Sequence, residues 1–68
     1  MMKTNRAKLM MCMANNCMNL IDLVRKCGLP YATVKNAVYG RSVRPATIGK
    51  IAKALGVNVV DIAETEQN

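Results

Sequence analysis

The stretch YATVKNAVYGRSVR, residues 31–44, concentrates side chains that can bind a polar or anionic partner. Thr33, Lys35 and Asn36 supply hydroxyl, ammonium and amide groups, and two arginines follow in the next turn. An asparagine amide both donates and accepts hydrogen bonds, while lysine and arginine bind anions. The chemistry available to this stretch is therefore recognition by hydrogen bonds and charge.

Catalytic chemistry has few candidate residues. The chain has no histidine, no pair of acids in a common helical register and no glycine-rich loop of the kind that cradles phosphate. Its single serine, Ser42, lies in a basic turn rather than in a nucleophile setting. The sequence therefore predicts a binding protein and not an enzyme, with no cofactor and no small-molecule ligand.

The cysteines Cys12, Cys17 and Cys27 favour reduced thiols over a disulfide framework. Their count is odd, and without histidine a zinc site lacks its fourth ligand. The apolar run at residues 9–14 is too short for a signal-peptide core or a membrane span. We therefore expect a cytoplasmic protein with no metal and no membrane partner.

The net charge of +6 is unevenly distributed along the chain. From Leu23 to Val60 there are seven basic residues and no acidic one. Charge alone leaves two interpretations open. This region is either the electrostatic footprint of a polyanion-binding surface or a solvated basic face that keeps the protein soluble.

Helical periodicity predicts an all-α fold, a compact bundle of five short helices in one domain spanning residues 1–68. The predicted helices run from Lys3 to Asn15, from the N-cap Asn19 to Gly28, from Pro30 or Tyr31 to Gly40, from Pro45 to Gly56, and briefly after the N-cap Asn58. Asparagine caps, terminal glycines and an N-terminal proline mark these boundaries. An ordered core is expected at residues 5–63, with a frayed tail at 64–68.

The second and third predicted helices are separated by a tight break at Gly28. Two short helices joined by a turn that contains glycine form a helix-turn-helix element. Val24 and Val34 stand where the two helices would touch, and Gly28 permits the turn. This spacing predicts that the third helix leaves the second at a steep angle and projects from the domain.

The segments LVRKCGLPYATVKNAVYG and RPATIGKIAKALGVNVVDI resemble the helix-turn-helix domain of the phage repressor and Cro proteins, also called the xenobiotic response element family. The resemblance extends over about residues 5–63, and IAKALGVNVVDI is its strongest single piece. It implies a lambda-repressor-like bundle that binds double-stranded operator DNA, usually as a homodimer. The third helix would then lie in the major groove.

The resemblance also implies a set of contact residues. The groove-facing positions, which would contact bases, are Tyr31, Ala32, Thr33, Lys35 and Asn36. The positions that would contact DNA phosphates are Asn19, Leu20, Arg41 and Arg44, with additions from Lys3, Arg6 or Lys8. The side-chain chemistry agrees, because asparagine can pair with adenine, threonine can bond a base or touch a thymine methyl, and lysine can reach guanine or phosphate.

The chain departs from the family pattern at several positions. Val24 replaces the usual alanine, and Pro30 replaces a serine or threonine that caps the third helix. Many members join the first and third helices by an arginine–glutamate ion pair, where this sequence has Met13 and Val38. We expect a hydrophobic contact in its place.

The resemblance implies a sequence-specific transcriptional regulator, a repressor, whose dimer surface lies around Val57, Asn58 and Val59. An alternative is an antitoxin-like or other protein-binding module that uses the same fold. That alternative depends on the methionine-rich first helix as a partner surface, although methionines there can equally fill gaps in the core. Copurification of a small partner would separate the two functions.

Overall fold

A computed structural model of the chain describes residues 1–64. The part described contains four α-helices and one 3₁₀ turn: α1 Arg6–Asn15, α2 Leu20–Cys27, α3 Tyr31–Val38, α4 Pro45–Leu55 and the 3₁₀ turn Val59–Asp61. The predicted all-α fold is confirmed. Within these residues, no helix is long and apolar enough to cross a membrane. The predicted tail at 64–68 lies outside the described residues except for Glu64.

The predicted count of five helices is wrong, because the last one is only a three-residue 3₁₀ turn. The Asp61 carboxylate accepts a hydrogen bond from the Asn58 N–H at 3.0 Å, as part of a capping box at the start of the turn. Ala63 then forms a backbone bridge with Thr4. After Asp61 the chain is no longer helical, and it pairs with its own N-terminal segment.

The first helix begins at Arg6 and not at Lys3, so that predicted boundary is also wrong. The Asn5 side chain caps α1 by accepting from the Lys8 N–H at 3.1 Å. The residues before this cap are held in other backbone pairs. Met2 and Val43 exchange hydrogen bonds of 2.7 Å in both directions, and the Asn5 N–H donates to the Ile62 carbonyl at 2.7 Å.

The core draws on every helix. Six large side chains are fully buried: Leu9, Leu23, Val34, Ile48, Ile51 and Ile62. Met13 and Val38 belong to the same buried cluster, as expected for apolar residues that stand in place of an ion pair. Met13 therefore fills the core, whereas Met10 and Met11 on the same helix are exposed.

The turn between α2 and α3 has the predicted form. Gly28 adopts a left-handed conformation with φ 70°, and its N–H donates to the Val24 carbonyl at 3.0 Å. The sequence predicted that α3 begins at Pro30 or at Tyr31. Pro30 is the N-cap of α3, so Tyr31 is the first helical residue. Val34 is fully buried behind this turn, while Val24 is half-buried against the core.

Alanine substitutions at Gly28 and Gly49 distinguish the effect of backbone strain on stability from the effect of side-chain packing. A Cβ added at Gly28 or at Gly49 would meet nothing within 4 Å, but only Gly28 has a positive φ. Gly28→Ala should therefore lower the free energy of unfolding by about 1–2 kcal/mol. Gly49→Ala, inside α4, should raise it by up to about 1 kcal/mol. Urea unfolding of both variants checks this, and a shift of the same sign in both would contradict it.

Candidate nucleic-acid interface

The outer surface of α3 carries all five residues predicted to contact bases. Tyr31 and Ala32 are exposed, and Thr33, Lys35 and Asn36 are half-buried. The inner surface of the same helix is formed by the buried residues Val34, Ala37 and Val38. Burial of that inner stripe orients the polar set toward solvent, because residues on opposite sides of one helix cannot both face the core.

Thr33 and Asn36 lie at the edge of α3 that faces the α3–α4 connection. The Asn36 Oδ1 accepts a hydrogen bond from the Arg41 guanidinium at 3.1 Å. Beside this pair is a groove of about 530 Å³, which we call the loop groove. Its lining includes Pro30, Thr33, Asn36, Ser42, Arg44 and Lys50. Hydrogen-bonding side chains and cations therefore converge at this edge.

The opposite edge of α3 faces α1 and has a different composition. The Tyr39 ring lies here, with the Arg6 Cζ 5.1 Å and the Lys35 Nζ 5.9 Å from its centroid. A second groove of about 610 Å³, which we call the α1 groove, opens beside the ring. Its lining includes Arg6, Met10, Met18, Asn19, Leu20 and Tyr39.

The predicted contact residues are thus divided between two edges. Arg44 lines the loop groove, and Arg41 is bonded to Asn36, which also lines it. Asn19 and Leu20 line the α1 groove. The Lys35 ammonium lies by the Tyr39 ring at the α1 edge, whereas Asn36 is bonded to Arg41 at the other edge. The surface of α3 therefore has a cationic group at each side.

Sequence reasoning missed Tyr39 and gave Arg6 only a supporting role. The spacing of Lys35 and Tyr39, four residues apart on one helix, is a signal that could have found their contact. The contact between Arg6 and Tyr39 joins α1 to the end of α3, so no local pattern encodes it. Lys50, which lies on α4 outside the predicted contact set, is exposed and also lines the loop groove.

Two of the acidic residues, Asp22 and Asp61, form capping bonds at the start of a helical segment. The Asp22 carboxylate accepts from the Asn19 N–H at 2.9 Å, and Asp61 makes the matching bond to Asn58. A carboxylate at a helix N-terminus is stabilised there by the helix dipole. Both carboxylates are therefore bonded to backbone N–H groups at the start of a helical segment.

The cysteines differ in environment. Cys17 is exposed, whereas Cys12 and Cys27 are half-buried. Burial raises the pKa of the Cys27 thiol above its usual range, and a hydrogen bond with the backbone of Cys27 itself acts more weakly in the opposite direction. The Cys27 Sγ donates to the Leu23 carbonyl at 2.8 Å. Within residues 1–64, no three histidine, cysteine or acidic side chains are grouped closely enough to hold a metal ion.

A glycine-broken helix pair that presents a polar helix between cationic edges defines a helix-turn-helix domain of the DNA-binding class. A family model described as the Cro/C1-type HTH DNA-binding domain matches residues 8–68, and the chain belongs to that family.

Among solved structures, the crystal structure of the transcriptional regulator VanUg, form II, resembles this chain with a TM-score of 0.79. The two share 19% sequence identity, and the match covers 98% of this chain and 89% of that chain. Likeness at this level of identity concerns the fold. A search of curated proteins found no significant match.

Thiol labelling tests the side-chain environments around the α1 groove, which Cys17 also lines. At neutral pH Cys17 should react with iodoacetamide faster than Cys27, because the thiolate is the nucleophile and a raised pKa lowers its fraction. Mass spectrometry of timed digests measures both rates. In urea the two thiols should react at equal rates. Equal rates in the native protein would contradict the half-burial of Cys27.

Proposed function

We propose that this protein is a cytoplasmic transcriptional repressor that reads double-stranded operator DNA with α3 in the major groove. The observation that carries the proposal is the outer surface of α3, where polar side chains lie between two cationic edges within a Cro/C1-type domain. Repression follows from occupancy, since a protein bound at an operator excludes other proteins from the same DNA.

The size of the major groove supports this arrangement. An α-helix with its side chains is about 10–12 Å wide, and the major groove of B-DNA is about 12 Å wide. A helix seated there presents its outer face to base edges and its two sides to the sugar-phosphate walls. Tyr31, Ala32, Thr33 and Asn36 then lie at the bases.

Asn36 is the residue best suited to specify a base. Its amide can form a bidentate pair with adenine, which discriminates against other bases by about 1–3 kcal/mol. The bond from Arg41 to its Oδ1 orients the amide before DNA arrives. A pre-oriented side chain loses less conformational entropy on binding.

The phosphate contacts proposed for this complex come from both sides of α3. Arg41 and Arg44 supply cations at the loop groove. Asn19 and Leu20 lie at the N-terminus of α2, where the Asn19 N–H already donates to the Asp22 carboxylate and the Leu20 N–H is the group that a phosphate would meet. Such contacts position the protein on the duplex but carry no sequence information by themselves.

We also propose that the repressor acts as a homodimer through the region around Val57, Asn58 and Val59. Val57 and Val59 are half-buried, Asn58 is exposed, and the adjoining Val60 is 71% exposed. Apolar side chains at a surface favour association with a second copy. Two recognition helices would then lie about 34 Å apart and read a near-palindrome.

A second candidate function is a protein-binding module, and the exposed methionines of α1 favour it. Met11 is 63% exposed, and Met10, which lines the α1 groove, is 49% exposed. Flexible methionine surfaces suit adaptable interfaces. A small protein that copurifies with the chain and is lost on Met11→Glu would support this function.

Selection from a random duplex pool tests the proposed repressor function. We expect an enriched site whose affinity for the protein falls by about tenfold or more on Asn36→Ala, with discrimination lost mainly at one base position. Lys53→Ala is the matched control, because Lys53 is exposed on α4 and lies outside both grooves. No binding of any duplex at low salt would reject the proposal.

The dimer can be tested separately with Val60→Asp. The proposed contact would bury this side chain, and an unpaired buried charge is strongly unfavourable. The variant should bind the selected palindrome at least tenfold more weakly, while its circular dichroism spectrum stays unchanged. Sedimentation equilibrium with the duplex measures the stoichiometry, and two copies bound with full affinity would place the interface elsewhere.

A further inference from the structure

The Tyr39 ring is unusual in having two cations against it. The Arg6 Cζ lies 5.1 Å and the Lys35 Nζ 5.9 Å from the ring centroid, while Tyr39 itself remains 45% exposed. Two neighbouring cations repel each other, but each is attracted to the electron-rich face of an aromatic ring. The ring therefore holds together two positive groups that would otherwise separate in solvent.

The backbone also fixes where the Arg6 side chain begins. The Asn5 N–H donates to the Ile62 carbonyl at 2.7 Å, and the Thr4 hydroxyl donates to the Ala37 carbonyl. A Cβ built on Gly40 would lie 3.9 Å from the Arg6 Cβ. Arg6 therefore starts beside the last turn of α3, although it belongs to α1.

The chemistry of this arrangement suits a phosphodiester. A guanidinium that lies over an aromatic ring keeps its N–H edges free, and those edges match two phosphate oxygens at once. Asn19 and Leu20, at the start of α2, line the same groove as Arg6 and Tyr39. An anion at this place would meet the arginine beside the first turn of α2. The Asp22 carboxylate already accepts from the Asn19 N–H there, so Arg6 supplies the main attraction.

We propose that Arg6 binds a DNA phosphate at the α1 edge of α3 and that Tyr39 is the positioning residue that holds its guanidinium there. The inference rests on the proposed function, because it assumes that α3 lies in the major groove. The two walls of that groove belong to opposite strands. Arg6 therefore contacts one strand, and Arg41 with Arg44 contacts the other.

The test measures affinity for the selected duplex at several salt concentrations by fluorescence anisotropy. Arg6→Ala should weaken binding to matched and mismatched sites by the same factor and reduce the salt slope by about 0.9 for each bound protomer. Arg6→Lys keeps the charge, so it should keep the slope while losing affinity. Lys53→Ala should change neither quantity, and thermal unfolding verifies that each variant is folded.

The positioning role of Tyr39 is tested by comparing Tyr39 variants in the presence and absence of the Arg6 side chain. Tyr39→Leu, which keeps apolar bulk, should weaken binding by about two- to fivefold, and Tyr39→Phe should restore it because the ring face is retained. In a Lys35→Ala background, which removes the other cation at the ring, Tyr39→Leu should still weaken binding, and it should have no further effect once Arg6→Ala is added. An equal loss in both backgrounds would show that Tyr39 does not act through Arg6 and would overturn its positioning role.

The outcomes separate this inference from the function on which it rests. If the wild-type chain binds no duplex, the proposed function fails. If the wild type selects a site but Arg6→Ala keeps both affinity and slope, the function stands and the α1-edge phosphate contact is wrong. If Arg6→Ala weakens binding at only one base position, Arg6 reads a base and the proposed phosphate contact is again wrong.

Discussion

The surface proposed to face DNA depends on the burial of one side of a very short helix. The α3 helix has eight residues, and an isolated helix of that length is not stable in water. It forms because Val34, Ala37 and Val38 are buried against the rest of the core. Since the stabilising contacts all lie on the inner side, the outer side is free to vary in chemistry without unfolding the helix.

The same constraint explains the turn before α3. To bury Val34 while projecting Tyr31, the chain must turn sharply after α2, and the left-handed conformation of Gly28 permits that turn. Pro30 provides no side-chain cap for the helix that follows. The capping energy that is lost, typically about 1 kcal/mol, is supplied here by tertiary packing.

The sequence predicted most of this architecture but missed contacts between distant residues. Local signals were sufficient for α2, for the turn at Gly28 and for the start of α4 at Pro45, because caps and periodicity act within a few residues. The start of α1 was wrong because residues 2–5 pair with segments far along the chain, and no periodic pattern reports such pairing.

In the candidate site, too, local features could be predicted from the sequence and contacts between distant residues could not. Residue types and spacing were enough to predict which side chains lie on the outer face of α3. They did not predict that Lys35 turns to one edge and Asn36 to the other, because that choice depends on Tyr39, Arg6 and Arg41. Cation–π contacts and hydrogen bonds of this kind depend on the relative placement of separate elements.

The N-terminal segment connects the two regions on which the proposed function depends. Through Thr4 it is bonded to Ala37 in α3, and through Asn5 to Ile62, close to the proposed dimer surface. The N-terminal segment therefore joins α3 to the proposed dimer surface within one protomer. A dimer built on this surface would present both helices at a fixed spacing, which is the geometry that an operator with two half-sites requires.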